Sequence, residues 1–211
     1  MVVRPPDEVM AAADPRRWHY TGPLDLPAAR AAHDELVARL NGWGVEVLVH
    51  DVSLPEHADS VFVFDPVLVS DAGTIVLSMG KTLRRGEEDA LASFLEGEGV
   101  PVAARITGEG RVQGGDTLWL DHDTMAVGMG FRTNAEGVRQ LRAALDPLGV
   151  AVHAYDLPYF TGPAACLHLL SLISPVDVDL AVAYPPLLPT ALWRELRRRG
   201  EIGRASCRER V

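Results

Sequence analysis

Cysteine is nearly absent: the 211 residues hold two, Cys166 and Cys207. Two thiols that far apart make neither a disulfide framework nor a zinc site. The seven histidines are scattered without ligand spacing, so no metal is expected. No residue pattern asks for a cofactor. Long apolar runs are missing too. The N-terminal stretch MVVRPPDEVMAAADPRRW has no apolar core of signal-peptide length. The most apolar late stretch, DLAVAYPPLLPTALW, is broken by three prolines and does not span a membrane. Basic charge is also short, with 20 Lys and Arg against 29 Asp and Glu, a net charge of −9. That balance argues against nucleic acid as a partner. It suits a small cationic substrate, because a negative field draws cations in. Apolar residues make up 47%, enough for a packed core, so the expectation is a cytoplasmic α/β protein.

What the chain does have is an internal repeat. One copy starts at Asp65, DPVLVSDAGTIVLSMGKTLRRGEEDALASFLEGEGVPVAAR, and another at Asp116, DTLWLDHDTMAVGMGFRTNAEGVRQLRAALDPLGVAVHAY. Each opens with Asp and shows two short β-rich runs joined by a turn, Asp71-Ala72-Gly73 in one and His122-Asp123 in the other. Met-Gly, an Arg-bearing loop and a helix come next. Leu91, Phe94 and Leu95 recur at helical spacing in the first helix, as do Val138, Leu141 and Leu145 in the second. Gly99-Val100 and Gly149-Val150 then start a third strand. The unit is ββαβ. A third copy starts near His168, and a helix over about 27–41 with a strand over 45–49 ends an earlier one. Asp65, Asp116 and His168 fall at intervals of 51 and 52 residues, at matching places.

Five strings occur in order: DSVFVFDPVLV from residue 59, LRRGE from 83, QGGD from 113, FRTNAEG from 131 and CLHLLS from 166. Together they resemble the dimethylarginine dimethylaminohydrolases, with arginine deiminases and arginine amidinotransferases as relatives. The resemblance runs from Arg4 to about Gly200. It implies the pentein fold, an α/β propeller of five ββαβ units about a pseudo-fivefold axis, of which about four are present. It also implies chemistry at a guanidinium carbon. Carboxylates accept the N–H groups of that flat cation, a thiolate attacks the carbon, and a histidine protonates the departing amine and then activates water. Carried over by position, Asp65 binds the guanidinium and Asp59 is a neighbouring polar residue. Arg84 and Arg132 grip the substrate's carboxylate end, and His168 is the general acid and base. From residue type alone, Asp65 is equally a turn former, Arg84 and Arg132 are loop charges, and His168 is a core histidine. Thr133-Asn134 reads as the cap of the following helix.

Two features depart from the family pattern. Gln113 stands where the family has a carboxylate. Its amide keeps the shape and loses the charge, and its nitrogen faces donors with another donor. A charge-assisted hydrogen bond contributes roughly 1.5–3 kcal/mol, and ~3 kcal/mol of barrier is about a hundredfold in rate. The second departure is the nucleophile, which the resemblance places late in the fifth unit. Residues 201–211, EIGRASCRERV, resemble the in-frame translation of a sequencing-library adapter. They are expected to be foreign to a partial domain over residues 1–200, so Cys207 falls too early and in the wrong segment. Cys166 on a strand would share a face with His168, but that leaves no room for a substrate carbon between them.

The reading is therefore a hydrolase converting methylated arginine to citrulline and an amine in the full-length protein, with this chain inactive. Amidino transfer to an acceptor amine is the nearest enzymatic alternative. A non-catalytic ring is the other alternative, because the family of five-unit rings includes ribosome-binding factors, and Gln113 suits a ring without chemistry. An incomplete ring leaves open strand edges, which favour association, so the chain is expected to be poorly soluble or a homo-oligomer.

Overall fold

The computed structural model describes residues 1–163, 167–177 and 179–200. The chain divides into two compact units, Met1–Ala103 and Ala104–Val211. Residues 201–211 and both cysteines lie outside the described residues.

The first unit begins with β1 (Val2–Val3), then the short helices α1 (Glu8–Ala11) and α2 (Pro15–Trp18) and the long α3 (Leu26–Gly42). Asp7, Asp14 and Asp25 cap the three, each side chain accepting a free backbone N–H of its first turn. β2 (Leu48–Val49) pairs parallel with β1. Arg4, at the end of β1, is tied to the loop after β2, donating to Ser60 Oγ at 2.9 Å and to the Val52 carbonyl at 2.7 Å. The expected helix is present. The expected strand over 45–49 shrinks to two residues, because its partner among the described residues is the two-residue β1.

β3 (Val67–Ser70) and β4 (Gly73–Val76) form a tight antiparallel hairpin, and α4 (Glu87–Gly97) and β5 (Val102–Arg105) complete a ββαβ unit with strand order β3-β4-β5. Gly73 is required at the turn: its φ is +121°, and a Cβ there would sit 2.2 Å from the Pro101 carbonyl oxygen. Val67, Leu91 and Leu95 form the core between hairpin and helix, with Phe94 and Val63 at its margin.

The second unit repeats the plan. β6 (Thr117–Asp121) and β7 (Thr124–Met129) form the hairpin, followed by α5 (Ala135–Leu145) and β8 (Ala151–Asp156). β8 lies parallel to β7, from Thr124 opposite Ala151 to Met129 opposite Asp156. Val138, Leu141 and Leu145 are buried as their spacing predicts. β9 (Ile173–Asp177), β10 (Leu180–Ala183) and α6 (Thr190–Arg199) come after, and Leu192 and Leu196 of α6 join Leu118, Ala126, Leu169 and Ile173 in one core. Here the repeat is less regular than its sequence. His168 does not open a strand: a single 3₁₀ turn over Leu169–Ser171 intervenes before β9.

Asn134 caps α5 by accepting the Gly137 N–H at 2.8 Å. The same oxygen accepts the Arg111 N–H at 3.0 Å, and its amide donates to the Glu109 carbonyl at 2.8 Å. One side chain thus fastens the loop before Gln113 to the start of α5. Gly137 is what permits the approach, since a Cβ there would meet Arg111 O at 2.1 Å. We predict that Gly137→Ala destabilises the protein by about 2–3 kcal/mol, the cost of overpacking a tight contact, read as a lowered denaturation midpoint.

His50 is 2% exposed, and neither ring nitrogen has a hydrogen-bond partner among the described residues. It packs against Phe94 with ring centroids 5.0 Å apart and shares a small void with Ser60 and Glu87. Burial pushes its pKa below the usual 6.5, reinforced by Arg4 and opposed by Asp51. The unfolded chain therefore binds more protons than the folded one as pH falls through 6.5, and stability falls with it. The His50→Leu variant should show a flatter stability profile between pH 7 and 5, measured by urea unfolding across that range.

Candidate functional site

The expected site residues divide between the units: Asp59, Asp65 and Arg84 in the first, Gln113, Arg132 and His168 in the second. Five of the six are at most 9% exposed, far more buried than solvated loop charges would be, and Arg132 is half-buried.

In the first unit Asp65 stands two residues before β3, and Arg84 ends a 3₁₀ turn over Thr82–Arg84 just ahead of α4. The Arg84 guanidinium donates to Asp65 Oδ2 at 2.5 Å, to Glu87 at 2.7–3.1 Å through three contacts and to the Phe62 carbonyl at 3.0 Å. Burial alone would lower the Arg84 pKa, but the hydrogen bonds and charges of Glu87 and Asp65 outweigh it and hold the guanidinium firmly charged. Asp65 and Arg84, expected at opposite ends of a substrate, are thus direct partners. Glu87 is the residue that the sequence did not flag. As the first residue of α4 it reads as a dipole-compensating acid, yet it is 2% exposed and turned onto Arg84. Its spacing of three residues from Arg84 was the available signal.

Asp59 has a different neighbourhood. Lys81, the only lysine in the chain, donates to Asp59 Oδ2 at 2.5 Å and to the Trp18 carbonyl at 3.3 Å, with its ammonium 4.8 Å from the Trp18 ring centroid. The Tyr20 hydroxyl donates to Asp59 Oδ1 at 2.8 Å. Burial, with the hydrogen bond to Asp59, pushes the Tyr20 phenol well up. These contacts pin the segment after α2 over Asp59. A concavity of about 870 Å³ in this unit runs along Val9, Asp14, Arg17, Trp18, His57 and Arg85, and neither Asp59, Asp65 nor Arg84 lines it.

In the second unit Gln113 and His168 lie about Asp116, the last residue of a 3₁₀ turn over Gly114–Asp116, and no contact brings Arg132 to it among the described residues. The Asp116 side chain is fully buried. Oδ2 accepts the Thr133 hydroxyl at 2.7 Å, and Oδ1 accepts the Leu169 N–H at 3.2 Å. Thr133 in turn accepts the Gln113 N–H at 3.2 Å. His168 Nδ1 lies 3.2 Å from Asp116 Oδ1. Asn134 alone supplies the expected helix cap; Thr133 is committed to Asp116. With both oxygens engaged, Asp116 is no spare acceptor for the charge that Gln113 lacks. Arg132 carries a buried Nε with no hydrogen-bond partner among the described residues. A buried guanidinium N–H is costly until an acceptor reaches it, so this group can receive an anionic acceptor. The cluster Asp121, His122 and Asp123 on the β6–β7 turn is exposed and remote in character from these buried groups.

Replacing Glu87 leaves the buried Arg84 with half its carboxylate support. We predict that Glu87→Ala costs about 3–5 kcal/mol, the usual penalty for breaking a buried ion pair. Chemical denaturation of the variant against the parent chain checks it.

Comparison with known proteins places these residues in a family context. Residues 24–199 match the model of the eukaryotic N,N dimethylarginine dimethylhydrolases. The chain is 34% identical over 164 residues to the N(G),N(G)-dimethylarginine dimethylaminohydrolase of Streptomyces coelicolor, covering 78% of this chain and 60% of that protein. It is 33% identical over 138 residues to the Pseudomonas aeruginosa enzyme of the same name, covering 63% of this chain and 51% of that one. The chain therefore spans between half and two thirds of the length of these relatives. Among solved structures, a mutant of the Pseudomonas aeruginosa enzyme complexed with citrulline superposes with a TM-score of 0.72 at 26% identity, over 86% of this chain and 68% of that one. The N-terminal domain of the cyanobacterial arginine dihydrolase ArgZ superposes with a TM-score of 0.75 at 20% identity, over 94% and 70%, a likeness of fold.

Proposed function

The chain belongs to the dimethylarginine dimethylaminohydrolase family, and on that premise we propose that the complete protein hydrolyses a methylated arginine to citrulline and an amine. The observation that carries this reading is His168, a buried imidazole whose Nδ1 faces the buried carboxylate of Asp116 at 3.2 Å. A buried imidazole beside a carboxylate suits the role of general acid and base. The mutant of the Pseudomonas aeruginosa relative, a cysteine replaced by serine and complexed with citrulline, supports a thiol nucleophile and a ureido product.

The chemistry then runs in two steps. A cysteine thiolate, supplied by a fifth ββαβ repeat, adds to the guanidinium carbon, and the C–N bond to the alkylated nitrogen breaks. His168 gives that nitrogen its proton, so an amine leaves and a thiouronium remains on the cysteine. His168 next takes a proton from water as the water oxygen adds to the same carbon. The C–S bond breaks, and citrulline and the thiolate are released. Asp65 holds the guanidinium and Asp59 supports it, while Arg84 and Arg132 serve the substrate's carboxylate. Arg132, with its unpartnered Nε, is better prepared for that than Arg84, whose donors are taken. Residues 201–211 are read as foreign to the domain, and the 211-residue chain by itself as inactive. Gln113 weakens cation binding and places this protein at the slow end of its class.

Citrulline formation from dimethylarginine by the uninterrupted full-length protein is the test. Turnover that vanishes in His168→Ala supports the reading; absence of citrulline with every methylated arginine overturns it. Amidino transfer would be recognised by product formation that depends on an added amine. Gln113→Glu should raise kcat/KM about 10–100-fold, from the charge-assisted bond it restores.

A further inference from the structure

We propose that Lys81 is a tethered cation standing in the place of a ligand's guanidinium group at Asp59, so that an organic cation reaches this carboxylate only by displacing it. The inference rests on the reading of Asp59 as a residue that serves a guanidinium, and names what holds that residue beforehand. Asp59 and Lys81 are both shielded, with 9% and 14% of their side chains exposed, and meet at 2.5 Å through Asp59 Oδ2. The Lys81 ammonium also donates to the Trp18 carbonyl at 3.3 Å and lies 4.8 Å from the centroid of the Trp18 ring. A carboxylate, a carbonyl and an aromatic face are groups that recognise an organic cation. Here the cation they hold is the chain's own lysine. Asp59 Oδ1 accepts the Tyr20 hydroxyl at 2.8 Å, so it keeps a donor whichever cation stands at Oδ2.

Two features make Lys81 the cation that can give way. Its backbone is fixed independently of its side chain: the Lys81 carbonyl accepts the Arg84 N–H at 2.9 Å and so opens the 3₁₀ turn over Thr82–Arg84. The ammonium can therefore swing out on its flexible four-carbon stem while the turn, and Arg84 with it, stays in place. Arg84 lacks that freedom, because its rigid fork is gripped by both Asp65 and Glu87. The second feature is energetic. Losing Lys81 with nothing in its place would leave a buried carboxylate without its cation, which is strongly unfavourable. Exchanging it for a guanidinium keeps Asp59 paired, while the freed ammonium regains its hydration. Ligand concentration then sets how often the lysine is out. The device also discriminates between the two ends of the proposed reaction. A guanidinium carries the charge needed to replace an ammonium; the neutral ureido group of citrulline does not, so Asp59 returns to Lys81 once product has formed.

Lys81 is the only lysine in the chain, which makes it its own probe. Acetylation by a water-soluble amine-reactive ester, located by peptide mass mapping so that the N-terminal amine is counted separately, measures how often the Lys81 amine leaves Asp59. In the 211-residue chain labelling should be slow, and methylguanidinium should speed it severalfold and saturably. Sodium chloride at the same ionic strength and neutral methylurea should not. In Asp59→Asn labelling should be fast from the start and indifferent to methylguanidinium, with far-ultraviolet circular dichroism showing that the fold is kept. Labelling of the parent chain that methylguanidinium leaves unchanged or slows overturns the proposal. So does an acceleration that sodium chloride or methylurea matches. These outcomes need no variant and hold even where Asp59→Asn does not fold; slow labelling in a folded Asp59→Asn overturns the proposal as well. Because labelling involves no turnover, such a failure is distinct from a complete protein that forms no citrulline.

Discussion

A guanidinium that is 4% exposed has to find its counter-charges inside the protein, and the first unit is arranged around that requirement. Arg84 reaches Asp65 ahead of β3, Glu87 at the head of α4 and the carbonyl of Phe62. Those three groups come from a turn, a helix and a loop. One planar fork with fixed donor directions therefore sets the distance between the hairpin and its helix more strictly than Val67, Leu91 and Leu95 could, since apolar contacts are non-directional. The charge is not a gain in itself, because desolvating it costs about what its partners return. Its effect is to make one arrangement much better than its neighbours.

The second unit solves the inverse problem with a buried anion. Among the described residues no arginine contacts Asp116; its carboxylate meets a hydroxyl, a backbone N–H and an imidazole. The two units use the same ββαβ scaffold and place an acid just before the first strand of each. In one the acid is locked to a permanent cation; in the other it is left facing a residue that can gain and lose a proton.

The periodic parts of this structure were legible in the sequence. The two hairpins with their turns at Asp71-Ala72 and His122-Asp123, the helices with Leu91, Leu95, Val138, Leu141 and Leu145 inward, and the shared strand-strand-helix-strand order all derive from spacing and turn chemistry. The strings around Asp65, Gln113, Arg132 and His168 were legible as a family resemblance. The contacts that define the candidate site were not. Asp65 and Arg84 are 19 residues apart, Asp116 and Leu169 are 53 apart, and no local rule links them. Thr133 was misread because a Thr-Asn pair before a helix offers two caps, and only the packing of the loop at Arg111 decides that Asn134 is the one used. The shift of His168 off the strand start is a tertiary effect of the same kind.

Gln113 lies where the demands of folding and of chemistry meet. It is 2% exposed, its backbone N–H is bound to Thr133, and it opens the turn that ends in Asp116. A glutamate here would place a second buried carboxylate three residues from Asp116. Without a bound cation that pair would repel and carry its own desolvation penalty. Glutamine avoids this cost, and on the proposed function it also gives up a charge that a guanidinium would meet. Thr133 can hold Asp116 in either case, because it is the Gln113 backbone that Thr133 accepts from, and a change of side chain leaves that bond in place.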